Sequence, residues 1–123
     1  MPEDHRQALG ILGENLACAE LTRLGHAILA RRYRTRFGEI DIVARDDDTT
    51  VFVEVKTRDG ERFGDGADAV TPWKQRRVMN MAADYVSRHG LHDQPCRFDV
   101  VAIDVSTRPP RVEVYRNAFD GTI

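Results

Sequence analysis

Two runs of residues, 38–45 and 51–58, are rich in Ile, Val and Phe, and between them lie the turn formers Asp46-Asp47-Asp48-Thr49. This pattern predicts a β-hairpin, and a hairpin dictates which residues share a face. With 46–49 as a four-residue loop, Arg45 faces Thr50, Val43 faces Phe52, Asp41 faces Glu54, and Glu39 faces Lys56. Side chains alternate with period two, so Glu39, Asp41, Glu54 and Lys56 project from one face, together with Val43 and Phe52. Ile40, Ile42, Ala44, Val51, Val53 and Val55 project from the other, which is wholly apolar and must pack on a helix or core. A slip by one residue would bury the acids, so the register is strongly specified.

Carboxylates directly opposite each other have Cβ atoms about 4.5–5.5 Å apart, and unpaired they destabilise the hairpin. Something must offset the repulsion between Asp41 and Glu54. One answer is a hard divalent cation, since magnesium takes one or two carboxylates together with waters and phosphate oxygens. The ammonium of Lys56 beside such a pair could then orient a water or contact a phosphate, which is what phosphodiester hydrolysis needs. The other answer is ordinary surface pairing, with Glu54 and Glu39 sharing Lys56 on a partly apolar face. The residues by themselves leave both open.

The rest of the chain reads as a frame around this hairpin. Residues 6–24 have helical spacing, with Leu9, Leu12, Leu16, Ala17 and Leu24 on one broad face and Gly25 as the stop. Glu14 lies on the flank in line with Ala17 and Leu21, and Glu20 falls inside the apolar face, at its edge or paired. Residues 27–34 suit a strand. Residues 59–70, with Gly60, Gly64 and Gly66, have little periodicity and read as a mobile loop. Thr71-Pro72 is an N-cap followed by proline at the first helical position. The helix it opens runs to about residue 88, with Val78, Met81, Ala82 and Tyr85 inward and Gly90 ending it. Strands follow at 97–105 and 111–115. The order is α-β-β-β-α-β-β, a mixed α/β fold. The first three strands form a meander, and the second helix is long enough to return the chain to a parallel neighbour.

At 123 residues the chain fits a single domain, 1–123, with a core over about 6–116 and flexible termini. No apolar run is long enough to span a bilayer, and Met-Pro-Glu-Asp-His-Arg lacks the order of a signal peptide, so a cytoplasmic protein is expected. Cys18 and Cys96 match no metal or redox spacing and read as small core residues in a reducing compartment. The four histidines show no ligand spacing. A net charge of −2 argues against an obligate nucleic-acid binder. The distribution argues the other way: Arg31, Arg32, Arg34 and Arg36 cluster, as do Lys74, Arg76 and Arg77, with Lys56, Arg58 and Arg62 between. These are either a basic surface or scattered solvated arginines. Trp73 reads as packing at the helix start rather than as a base-stacking platform, and Asp99 as paired with Arg97 or another arginine rather than as an acid supporting the metal ligands.

Gly38-Glu39-Ile40-Asp41, a turn, and then Val53-Glu54-Val55-Lys56 resemble the signature of the PD-(D/E)XK nuclease superfamily, an acid followed by E-x-K. More narrowly, the chain resembles the YraN-like family of small bacterial predicted endonucleases, related in fold to archaeal Holliday junction resolvases. The matching positions are Gly13-Glu14 and Ala17, the Gly-Glu-Ile-Asp run, Phe52 to Arg58, Phe63-Gly64, Lys74, and Arg97-Phe98-Asp99. Ile40 stands where the superfamily name has proline, a position at which that proline is dispensable.

The resemblance implies a restriction-endonuclease-like core, a mixed five-stranded sheet flanked by helices. It implies that Asp41 and Glu54 are metal ligands, with the Val55 carbonyl as a third and Lys56 as the water-positioning or phosphate-contacting group. Glu14 resembles the extra acid that some members bring to the metal, although a helix-flank carboxylate reads equally well. The implied activity is a Mg2+- or Mn2+-dependent endonuclease acting on DNA, branched or junction DNA included. Arg36, Arg58, Arg62, Lys74 and Arg77 would hold the backbone, although for Lys74 a solvated first-turn lysine reads equally well. Junction-cleaving relatives are two-fold dimers, which leaves a homodimer possible here through the last strand and the tail after Arg116. The competing reading is a non-catalytic module of nuclease fold that binds nucleic acid or protein.

Overall fold

The computed structural model describes residues 3–60 and 70–119. The elements are α1 (Glu3–Arg23), β1 (Ala27–Thr35), β2 (Gly38–Asp46), β3 (Thr49–Arg58), α2 (Pro72–His89), β4 (Cys96–Asp104) and β5 (Arg111–Tyr115). They follow the expected order. The loop expected at 59–70 lies, over 61–69, outside the described residues, and with it Arg62, Phe63 and Gly64.

The sheet order is β1-β2-β3-β4-β5. β1, β2 and β3 are an antiparallel meander, β4 returns parallel to β3 through α2, and β5 is antiparallel at the edge. A parallel return needs a crossover of this length, which α2 provides. Thr71 caps α2 by accepting the Lys74 N–H at 3.2 Å, Pro72 occupies the first turn, and Gly90 closes the helix in the left-handed region.

The two helices cover opposite faces. α1 covers Ile42, Ala44, Val51, Val53, Val101 and Ile103 with Ala17 and Leu21. α2 covers Ile40, Val43, Phe52, Phe98 and Val100 with Val78, Met81, Ala82, Tyr85 and Val86. The acid-bearing face of the hairpin is therefore packed under α2. No helix among the described residues is long and apolar enough to cross a membrane.

Three expectations need correction. The hairpin loop has two residues, Asp47 and Asp48, since Asp46 pairs with Thr49; Asp47 takes φ 54° to close it. The register is unaffected from Arg45–Thr50 to Ile42–Val53, because zipping one more pair leaves those partners in place. On α1, Leu12 and Leu24 are exposed, and the buried stripe is Gly13, Ala17 and Leu21. Gly13 explains this: a Cβ there would sit 1.9 Å from the Thr57 Oγ1. Small residues let α1 lie close on β3, and the leucines turn outward as a result. Finally, Ile40 packs with Val43 under α2, not with Ile42 under α1. Positions three apart share a face only if the alternation breaks between them. Glu20, whose place was open, is ion-paired with Arg23 at 2.7 Å.

Candidate functional site

The break in alternation falls on Asp41. The β2–β3 ladder runs from Asp46–Thr49 to Ile42–Val53 and stops there, while β3 stays paired with β4 as far as Arg58. Where a next backbone bond would form, the Asp41 carboxylate accepts the Val55 N–H at 2.8 Å. On the other side, Arg32 in β1 lies between the residues that pair with Ile42 and Ile40, and it takes φ 52°. Asp41 thus sits in a wedge between two parting strands, and the direct Asp41–Glu54 and Glu39–Lys56 pairs expected of a regular hairpin are absent from the ladder.

Glu54 stays on the α2 face with Phe52 and is 7% exposed. Its nearest cation is Lys74 of α2, with Nζ 4.0 Å from Oε2. Glu54, Lys74, Arg77, Val78, Met81 and Glu39 line a small pocket there. Burial, and next the neighbouring Asp41 charge, push the Glu54 carboxyl up to about 7. Burial likewise raises Asp41, against the Val55 N–H that favours its anion, and Glu14 adds to the rise. The two carboxylates and Lys74 and Lys56 act on one another electrostatically, which joins them in one site. Lys56 is half-buried; burial and the adjacent Lys74 bring its ammonium down to about 8.

Glu39 does not share Lys56. It is exposed and accepts from Arg34 at 2.7 Å. Surface pairing of Lys56 with Glu39 and Glu54 is thereby set aside. Glu14 is buried on α1 and adjoins Asp41, but Arg31 and Arg32 hold its carboxylate at 3.3 and 3.2 Å. Glu14, Arg32 and Glu39, with Gln7, Gly10 and Ile11, also line a groove of about 470 Å³ on the α1 side. Asp99 is buried on β4, accepting from Arg97 at 3.0 Å and from the Asn117 N–H, as its pairing with arginine predicted. Cys18 and Cys96 are free thiols.

The donor set suits a small hard cation. The Asp41 and Glu54 carboxylates and the Val55 backbone carbonyl are all oxygen, and two acids pushed towards their neutral forms, one half-buried and one buried, gain from a nearby cation. Glu14 would first have to leave its two arginines. Among the described residues no three acidic, His or Cys side chains converge as a ready-made cage. Magnesium with its own waters needs no such cage.

The basic residues gather at the same end of the sheet. Arg36 and Phe37 form the β1–β2 turn, with the Arg36 guanidinium 4.9 Å from the Phe37 ring centroid. Arg77 donates to the Phe37 carbonyl at 2.7 and 3.1 Å and lies 4.9 Å from the Trp73 ring centroid. Arg58, exposed at the end of β3, depresses Lys56 further. Trp73 corrects its expectation: it is 59% exposed and does not pack in the core. Helical phase alone could have flagged this, since Trp73 is out of step with Val78, Met81 and Tyr85. The Arg77–Phe37 bridge has no sequence signal.

Fold and site define a small mixed α/β protein whose acidic pair lies in the gap of a split hairpin, flanked by two lysines. The chain belongs to the family described as uncharacterised protein family UPF0102, whose model matches residues 13–103. This is the YraN-like family that its motifs resemble. A UPF0102 protein of Geobacter sulfurreducens is 49% identical over 117 residues, covering 94% of this chain and 91% of the relative. One of Anaeromyxobacter dehalogenans is 48% identical, covering 96% and 88%. One of Rhodococcus jostii is 47% identical, covering 94% and 98%.

Proposed function

We propose that this protein is a cytoplasmic, divalent-metal-dependent endonuclease of the PD-(D/E)XK type that hydrolyses phosphodiester bonds of DNA. The observation that carries the reading is the acidic pair of half-buried Asp41 and buried Glu54 in a strand gap, with Lys56 and Lys74 beside it. Neighbouring carboxylates withdrawn from water cost stability even with lysines nearby, and perturbed groups of this kind cluster where chemistry needs them.

Asp41, Glu54 and the Val55 carbonyl would hold Mg2+, and Mn2+ suits the same oxygens. When bound, such an ion lowers the pKa of a coordinated water and neutralises charge developing on the phosphate. Lys56, brought down to about 8, can take a proton from the attacking water near neutral pH or hold it in line. The Val55 N–H fixes the Asp41 carboxylate, so this side chain needs no reordering on binding. Lys74, Arg77, Arg36 and Arg58 supply contacts to phosphates around the cleaved bond, and Arg62, outside the described residues, is proposed to join them from the sequence resemblance alone. A two-fold dimer, with β5 at its edge as the joining strand, would present two sites to two strands.

The test is incubation of purified protein with branched, single-stranded and duplex DNA in Mg2+ or Mn2+. Cleavage is expected, and Lys56→Ala should lower its rate on the order of 10²–10⁴-fold. No cleavage of any substrate with either ion would sink the proposal. The engagement of Glu14 by Arg31 and Arg32 favours a second reading, a DNA-binding module without turnover. That reading requires DNA affinity that survives Asp41→Asn and Glu54→Gln, and equal calorimetric heats of Mg2+ binding to wild type and Asp41→Ala.

A further inference from the structure

Trp73 stands in the first turn of α2, 59% exposed, so burial does not explain it. One of its faces is covered by the Arg77 guanidinium, 4.9 Å from the ring centroid. Arg77 is itself held: its two bonds to the Phe37 carbonyl tie it to the β1–β2 turn. Gly38 makes room for it, since a Cβ there would sit 2.4 Å from the guanidinium nitrogen. A second aromatic–guanidinium pair, Phe37 with Arg36, lies on the same turn, with Phe37 36% exposed. Arg77 also lines the pocket that holds Glu54 and Lys74. Two half-open aromatic rings, each beside a guanidinium, therefore form one rim of the acidic site.

We infer that Trp73, braced by Arg77, is a base-stacking platform, and that the DNA this site takes has an unpaired nucleotide beside the phosphate at Glu54. A base inside a duplex has both faces covered by its neighbours, so an exposed indole can stack only on a base that is single-stranded, flapped, at a junction or at a duplex end. The guanidiniums suit the phosphates that such a nucleotide brings with it. That this DNA is also cut rests on the nuclease reading; the stacking itself does not.

Trp73 is the chain's only tryptophan, so its emission reports its own stacking. Wild-type protein in EDTA is titrated with oligo-dT of about 15 nucleotides, and separately with a blunt duplex several times longer, whose two ends are a small share of its sites. Quenching by the single strand and not by the duplex is expected. In anisotropy titrations with labelled DNA, Trp73→Ala should weaken single-strand binding about 5- to 150-fold, the worth of one base–aromatic stack. Duplex binding, carried by phosphates, should change little, and Trp73→Phe should keep most of the single-strand affinity. Equal quenching by both DNAs, or equal losses for both in Trp73→Ala, would overturn the inference. Selective loss of single-strand binding in a protein that cuts nothing with Mg2+ or Mn2+ would remove the nuclease reading and leave the platform standing.

Discussion

At the scale of single residues, the site is defined by what burial does to charge. Glu54 rises from 4.5 to about 7 through burial and the Asp41 charge. The folded protein therefore binds more protons than the unfolded chain between those values. Its stability falls as pH rises through this window, and above about 7 the whole penalty is present, roughly 3 kcal/mol for a shift of this size. Glu54→Gln removes that penalty. In EDTA the variant should be more stable than wild type at pH about 8, with the gain shrinking towards pH about 5, as urea midpoints at the two pH values would show. A gain that is equal at both would mean that the carboxyl is not perturbed. For Lys56, the lowered value of about 8 makes its amine available as a base near neutrality. Log rate should climb with pH and level off near 8, and Lys56→Arg, which cannot give up its proton, should not restore activity.

At the scale of elements, two glycines decide how the helices approach the sheet. Gly13 brings α1 against Thr57 of β3, and α1 carries Glu14 next to Asp41. Gly13→Ala should cost about 1–3 kcal/mol by overpacking, and Thr57→Ala in the same chain should recover part of it. Thermal melts of the two single variants and the double variant measure this. Additive losses would show that the two positions do not touch. Gly38, at φ 129°, does the same for Arg77 on the other face. α2 was legible in full because each of its signals is local: Thr71, Pro72, an inward stripe and Gly90. α1 was legible as a helix but not in its orientation. Its leucines are spread around the barrel of the helix, and the buried stripe follows Gly13 and Ala17, where small size permits close contact.

For the whole molecule, the fold brings the described candidate groups to one end of the sheet. Lys74 and Arg77 come from α2, Arg36 from the β1–β2 turn, Arg58 and Lys56 from β3, and the acids from the β2–β3 gap. This cationic rim lies on a chain of net charge −2, so DNA binding should depend on local charge and weaken steeply with salt. Log affinity against log salt should be linear, and Arg58→Ala should reduce its slope by about one contact's share. A flat salt dependence would mean that the rim does not meet phosphates. Mg2+ at saturating concentration should raise the melting temperature of wild type and leave Asp41→Asn unmoved, since a ligand that binds the folded state alone stabilises it.

The amino-acid sequence by itself determined the hairpin register, the order of the elements, the parallel return through α2 and the grouping of Asp41, Glu54 and Lys56. Each of these follows from local periodicity or from turn and capping residues, which act within a few positions along the chain. The tertiary structure alone decided how that hairpin splits. Asp41 takes the Val55 N–H with its side chain, Ile40 turns under α2, Glu39 leaves Lys56 for Arg34, and Glu14 is drawn to Arg31 and Arg32. None of this is periodic. It arises from contacts between groups far apart in the chain: the Asp41 side chain takes the Val55 N–H where the ladder would continue, and Ile40 packs into the cluster under α2. In this chain the break falls on the aspartate of the acidic pair.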